Sequence, residues 1–249
     1  MSAADIMRRL KAAMPPGTQP KFTTAEELMA WQSEQGRIDA ERIAEQNKVT
    51  RLQKVLGRSG IQQLHQSCTF QNYNAELPAQ RHALDKSKAY TDRFGSGFGG
   101  FIFSGGCGTG KNHLAAAIGN VLLATGKSVL VVTIPDLMMR FRETYQDGAK
   151  TSEAKLMDDL CSVDLLVLDD IGVQRGNTNE GVVLFQIIDR RLASKKPVGM
   201  LTNLDAPSLT ELLGARIMDR MTMDGGMWIN FDWPSYRRKV KSEHATQRR

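Results

Sequence analysis

A chain of 249 residues with 41% hydrophobic and 24% charged residues has the composition of a folded globular protein, far from the polar, charge-rich chains that stay disordered. The formal net charge of +6 permits nucleic-acid contact without requiring it; much of it sits after Tyr236, where Arg237, Arg238, Lys239, Lys241, Arg248 and Arg249 face only Glu243, as a solvated tail or a phosphate contact. No apolar run approaches the roughly 18 residues of a membrane span, Asp5, Arg8 and Arg9 interrupt any signal peptide, and Cys68, Cys107 and Cys161 have no metal-binding or paired spacing, so the expectation is a cytoplasmic protein without membrane contact or disulfides.

Ile6, Leu10 and Met14 recur at helical spacing until Pro15-Pro16-Gly17 ends the run. Thr24 and Glu27 form the capping-box pattern of a second helix, with Leu28 and Trp31 on one face and Gly36 as a candidate break. Ile38, Val49, Leu52 and Leu56 follow as a stripe too sparse for a core of its own, up to a linker at Gly57-Arg58-Ser59-Gly60. Such a region docks on something, and Ile6, Leu10, Leu28 and Trp31 are the candidate partner-binding residues. From residue 61 strand-like and helical runs alternate, the pattern of an α/β domain on a mostly parallel sheet. Predicted strands are Phe101–Ser104, Ser128–Thr133, Asp164–Asp169, Val198–Thr202 and Met227–Phe231, with helices at Leu114–Leu123, Ser152–Leu160, Val182–Leu192 and Leu209–Met221.

Gly105-Gly106-Cys107-Gly108-Thr109-Gly110-Lys111 fits the P-loop pattern G-x-x-x-x-G-K, directly after the strand FIFS and before a helix that Asn112 and His113 open. Glycines let backbone N–H groups curl around phosphates, the helix N-terminus adds its positive end, and Lys111 reaches the β- and γ-phosphate oxygens. This predicts ATP with Mg2+. Asn112 stands where a magnesium-ligating hydroxyl is usual; its amide oxygen serves directly or through a water. Leu165-Leu166-Val167-Leu168-Asp169-Asp170 is a buried strand ending in two carboxylates, Asp169 placed for Mg2+ and Asp170 for polarising the attacking water. A short Asp in that second position predicts slow hydrolysis.

Asn203, at the end of the fourth strand, is either a γ-phosphate sensor or a turn residue. Arg216 and Arg220 share one helix face, as a cation for a neighbouring subunit's nucleotide or as a surface ion-pair face. Phe141 and Tyr145 lie four apart among Arg140, Arg142 and Lys150, which suits single-stranded nucleic acid, where bases stack on aromatics; the alternative is two core aromatics.

Together FIFSGGCGTGKNHLAAAI, SVDLLVLDDIGVQ, VGMLTNL and LLGARIMDRM, with WQSEQG, LHQSCTFQNY and SYRRKV, resemble the bacterial DnaC replicative helicase loaders of the AAA+ superfamily along nearly the whole chain. The resemblance implies a small helical N-terminal domain (1–60) that binds a hexameric DnaB-type replicative helicase, followed by a three-layer AAA+ P-loop domain (61–249). That domain binds ATP and single-stranded DNA and self-associates. The family's roles fall on Lys111 as Walker A lysine, Asp169 as magnesium aspartate, Asn203 as sensor 1, Arg220 as arginine finger and Arg237 as sensor 2. Arg216 matches a further arginine, and Tyr145 takes the place of a DNA-contacting phenylalanine. Only about 18 residues follow the last strand, too few for a helical lid around Arg237. Two other readings stay open: an AAA+ transposition helper, which the N-terminal segment argues against, and a nucleotide-gated scaffold with negligible hydrolysis, which Asn112 and Asp170 allow.

Overall fold

The computed structural model describes residues 5, 8–9, 22, 24–55, 65–97, 99–172 and 178–236. The chain divides into two compact units, Met1–Asn47 and Lys48–Arg249. Ile6, Leu10, the 57–60 linker and Arg237 lie outside the described residues.

The long helix α1 (Ala25–Val55) begins at a reciprocal cap: the Glu27 N–H donates to Thr24 Oγ1 at 3.1 Å and the Thr24 N–H to Glu27 Oε2 at 3.3 Å. Gly36 does not break it. The helix runs through, and Arg37 pairs with both Glu34 and Glu41, spanning the turns around the glycine. Leu28 is buried, which corrects its assignment to a partner-facing surface, whereas Trp31 remains 40% exposed beside the Phe22 ring, 5.3 Å between centroids. Met29, Ile38 and Ile43 are also exposed.

The larger unit is built on five parallel strands in the order β2-β3-β4-β1-β5. These are β1 (Phe101–Gly105), β2 (Val129–Thr133), β3 (Leu165–Ile171), β4 (Val198–Thr202) and β5 (Met227–Phe231). Near-continuous apolar runs form them because both sheet faces are covered. Phe101, Phe103, Leu165, Val167 and Phe231 point to one face, under α2 (Pro78–Asp92) and α3 (Lys111–Ala124). Ile102, Leu130, Val132, Leu166, Leu168 and Met200 point to the other. That face is covered by α4 (Ile134–Thr144), α5 (Glu153–Ser162), α6 (Thr178–Ala193), α7 (Ala206–Leu213) and α8 (Ala215–Thr222). The result is the expected three-layer α/β domain. The single helix predicted over 209–221 is two, because Gly214 adopts φ +83°, which ends α7 and re-aims the chain into α8.

At the sheet edge opposite the strand C-termini, the fully buried Arg191 donates to the carbonyls of Leu160 (2.7 Å), Val163 (3.1 Å), Asp164 (3.3 Å) and Pro197 (2.8 Å). Burial pushes its guanidinium down to about 10, still charged at neutral pH. It thereby satisfies carbonyls where α5, β3 and β4 meet, backbone groups that water cannot reach. Among the described residues no helix is long and apolar enough to cross a membrane.

Candidate nucleotide-binding site

The P-loop connects β1 to α3 at the C-terminal edge of the sheet, where β1 lies between β4 and β5. Gly110 caps α3 at φ +100° with no side-chain cap, and a Cβ there would come within 2.8 Å of the Tyr73 ring. The first N–H groups of α3 are therefore not taken by a capping side chain, as anion binding requires. Lys111 is buried and its Nζ donates to the Gly105 carbonyl (2.6 Å), the Gly106 carbonyl (2.8 Å) and Asn203 Oδ1 (2.9 Å). Desolvation holds its ammonium below the usual lysine range, against the opposing pull of Cys107, Asp169 and Asp170. Asn203 also reaches the exposed Cys107 thiol, Nδ2 to Sγ 3.5 Å.

The end of β4 is set by its neighbours: Thr202 Oγ1 donates to the Ile171 carbonyl at 2.8 Å, and Ser104 Oγ to the Leu204 carbonyl at 2.5 Å. In β3 the pairing with β4 is irregular between Leu168 and Ile171, and Asp170 takes φ +59°. This bulge keeps Asp169 buried and turns Asp170 outward. Asp169 accepts from Asn112 Nδ2 at 2.5 Å and from the Asp170 N–H at 2.8 Å. Burial, reinforced by the charge of Asp170, pushes its carboxyl up to about 6. Two carboxylates and a carboxamide beside the P-loop are hard oxygen donors of the kind that share Mg2+ with phosphate. Among the described residues no three His, Cys, Asp or Glu side chains converge, so a metal cage made of protein alone is not found there.

A cavity of about 320 Å³ adjoins the P-loop, lined among others by Asn72, Tyr73, Gln80, His113 and Tyr236. Asn120 Nδ2 anchors the segment before α2 by donating to the Cys68 carbonyl at 2.8 Å. His113 Nε2 lies 3.0 Å from the Thr69 carbonyl and 2.9 Å from Asn72 Oδ1, so His113 ties that segment to α3. After β5 the chain straps back: Trp233 Nε1 donates to the Thr109 carbonyl (2.8 Å) and the Tyr236 N–H to the Gly108 carbonyl (2.9 Å). The base-sized cavity thus joins predicted residues, the P-loop with Asn112 and His113, to others not predicted as site residues: Gln80, and Asn72, Tyr73 and Tyr236, whose segments enter only through the resemblance.

The remaining candidates lie apart from the P-loop cavity. Phe141 is 2% exposed in the core with Leu137, Met138 and Leu156, which corrects its assignment to a DNA surface: a ring already packed on all sides has no face to offer a base. Tyr145, at the end of α4, is 57% exposed beside a cavity of about 490 Å³ lined by Arg140, Lys150, Glu143 and Asp147 among others. Charges of both signs therefore line it. On α8, Arg220 pairs with Asp189 of α6, and Arg216 extends more openly on the same face.

Residues 72–244 match the family model of the IstB-like ATP binding protein. The replicative helicase loader DnaC of Escherichia coli (strain K12) is 48% identical over 239 residues, which covers 96% of this chain and 97% of that protein. The uncharacterized protein YdaV of the same organism is 49% identical over 240 residues, 96% of each chain. Among solved structures, that of a DnaC helicase loader superposes with a TM-score of 0.60 at 21% identity, covering 68% of this chain and 98% of that one, a likeness of fold. The P-loop, paired aspartates and strand-end asparagine on a parallel sheet accord with this similarity along nearly the whole length, which shows that the chain belongs to the IstB-like ATP-binding family and groups there with the DnaC helicase loaders.

Proposed function

We propose that this chain is an ATP-dependent loader that delivers a hexameric DnaB-type replicative helicase to single-stranded DNA in the cytoplasm. The observation that supports this most is the extent of similarity to DnaC: it spans 96% of the chain, whereas the ATP-binding family model begins only at residue 72. Nearly all of the N-terminal region is therefore shared with a protein named for loading a helicase. The ATPase half of that likeness alone would not separate a loader from a transposition helper.

In this reading ATP lies on the P-loop with its base in the cavity beside Tyr73 and Asn72. Lys111 exchanges the carbonyls of Gly105 and Gly106 for β- and γ-phosphate oxygens, a gain because an ammonium pairs more strongly with anions than with neutral carbonyls. Asp169 would hold Mg2+, with Asn112 turning its amide oxygen toward the ion or toward a bound water; the ion supplies charge neutralisation between the phosphates. Asn203 orients water against the γ-phosphate, and Asp170, turned outward by the bulge, accepts the proton. Its short side chain keeps turnover slow until DNA and partner assembly improve the geometry. Arg220 acts on the nucleotide of a neighbouring copy, Tyr145 stacks on a base, and Arg237 contributes as sensor 2. Residues 1–60 bind the helicase through Ile6, Leu10 and Trp31.

Native mass spectrometry of the full chain mixed with the host's replicative helicase tests this reading. A complex containing the helicase hexamer is expected. Absence of any such complex, beside a complex with a transposase, would replace the loader with the transposition helper.

A further inference from the structure

Asp189 stands on α6 where it faces α8. Its Oδ1 accepts from Arg220 Nη1 at 2.5 Å and lies 3.9 Å from Arg216 Nη2. The two arginines differ in freedom: the Arg216 side chain is 74% exposed, that of Arg220 only 23%. An ion pair of this kind uses one end of a planar guanidinium and fixes its plane, while leaving further N–H donors to point elsewhere. Neither arginine lines the cavity at this chain's own P-loop. On α6, Val182 and Phe185 precede Asp189 by seven and four residues, which places them on its helix face, and both are exposed. Cationic charge beside an apolar patch complements the phosphate-bearing edge of a second copy.

We propose that Asp189 is a positioning residue: it holds Arg220 in the orientation needed to reach the nucleotide of a neighbouring copy of this chain, on a contact face that Val182 and Phe185 extend. The inference rests on the reading of Arg220 as a residue that acts in trans. Asp189 touches no substrate. It restricts Arg220 before assembly, so less rotamer freedom is lost when the interface forms.

The test measures ATP turnover by the full chain with Mg2+ and an oligothymidylate, and ATP affinity of the dilute subunit. Asp189→Asn keeps the size of the side chain, and Asp189→Ala is a second variant at this partly exposed position. Both should lower turnover about tenfold to a hundredfold, the effect of misplacing a group by about an ångström, with ATP affinity unchanged. Lys111→Ala subunits hydrolyse nothing themselves but present an intact Asp189–Arg220 pair, so mixing them with Asp189→Asn subunits should restore turnover several-fold. The double variant Lys111→Ala/Asp189→Asn should restore none. Unchanged turnover in Asp189→Asn and Asp189→Ala, lost ATP affinity, or no recovery on mixing would overturn the role of Asp189. A parallel mixture of Arg220→Ala with Lys111→Ala reports on the underlying reading alone: recovery supports action in trans. No recovery there, or no turnover by the wild type, would end that reading whatever Asp189 does.

Discussion

Asp169 is a carboxylate held away from water beside a second carboxylate, and replacing it with Asn separates the cost of that arrangement from its use. Its carboxyl is pushed from 3.8 up to about 6, about two units, and at about 1.4 kcal/mol per unit the ionised form costs the nucleotide-free protein about 3 kcal/mol. The sign follows from the folded value lying above the unfolded one: this group favours the fold fully below about pH 4, and the contribution disappears as pH rises through about 6. Asp169→Asn removes the charge while keeping an oxygen for either Asn112 or the Asp170 N–H. The charge-assisted part of the two bonds is already contained in the shift, and the one neutral bond that Asn loses offsets about 1 kcal/mol. The variant should therefore be about 2 kcal/mol more stable at pH 8, a rise in Tm of about 4 to 8 °C for a chain of this size. At pH 5, where the wild-type carboxyl is largely protonated, the gain should fall below about 1 kcal/mol. Scanning calorimetry without nucleotide or Mg2+ at both pH values measures this, and Mg2+ with ATP should then stabilise the wild type but not the variant. A variant less stable than the wild type at pH 8, or equally shifted at both pH values, would show that the Asp169 carboxylate carries no such cost.

Arg191→Met should cost about 3 kcal/mol or more in urea denaturation, because it strands the buried carbonyls of Leu160, Val163 and Pro197; a loss below about 1 kcal/mol would show that the network is dispensable. Phe141→Ala should lower stability by about 3 to 5 kcal/mol through a core cavity, without a specific effect on DNA binding by the folded fraction. Tyr145→Ala should do the reverse, weakening a single-stranded DNA titration by about 1 to 3 kcal/mol with Tm unchanged; equal behaviour of the two variants would contradict their placement. Trp31→Ala should weaken helicase binding by at least about 2 kcal/mol, and an unchanged titration would remove Trp31 from that surface.

The sheet was legible because parallel strands covered on both faces read as short apolar runs, and all five begin and end within about two residues of their predicted limits; β3 departs most, running on to Ile171 because its last residues form the bulge that separates Asp169 from Asp170. The P-loop and the paired aspartates were legible for a related reason: chemistry that needs glycine conformations, a lysine and a strand-end carboxylate leaves a contiguous signature. Contacts between distant segments leave none. Nothing local in Asn72, Tyr73 or Tyr236 says that they meet at one cavity, nor that Trp233 reaches the Thr109 carbonyl. Phe141 and Tyr145 are four apart and read as one face, yet the helix ends at Thr144, so Phe141 packs inward while Tyr145 leaves with the turn. Asp189 and Arg191 sit two apart in a charged run; only the packing of α6 between α5 and α8 makes one a partly exposed partner of Arg220 and the other a fully buried donor. Gly36 misled in the other direction, since one helical glycine costs only about 1 kcal/mol and sits inside a 31-residue helix long enough to carry it.

In this reading, ATP binding at the P-loop serves to place a helicase ring on DNA. The decisive measurement incubates the full chain and ATP with the host's hexameric helicase and covalently closed circular single-stranded DNA, then quantifies helicase retained on the circles after a salt wash. The wild-type chain should raise retained helicase well above the level of helicase alone, and Lys111→Ala should not. Retention unaffected by a chain that demonstrably binds ATP would contradict this reading.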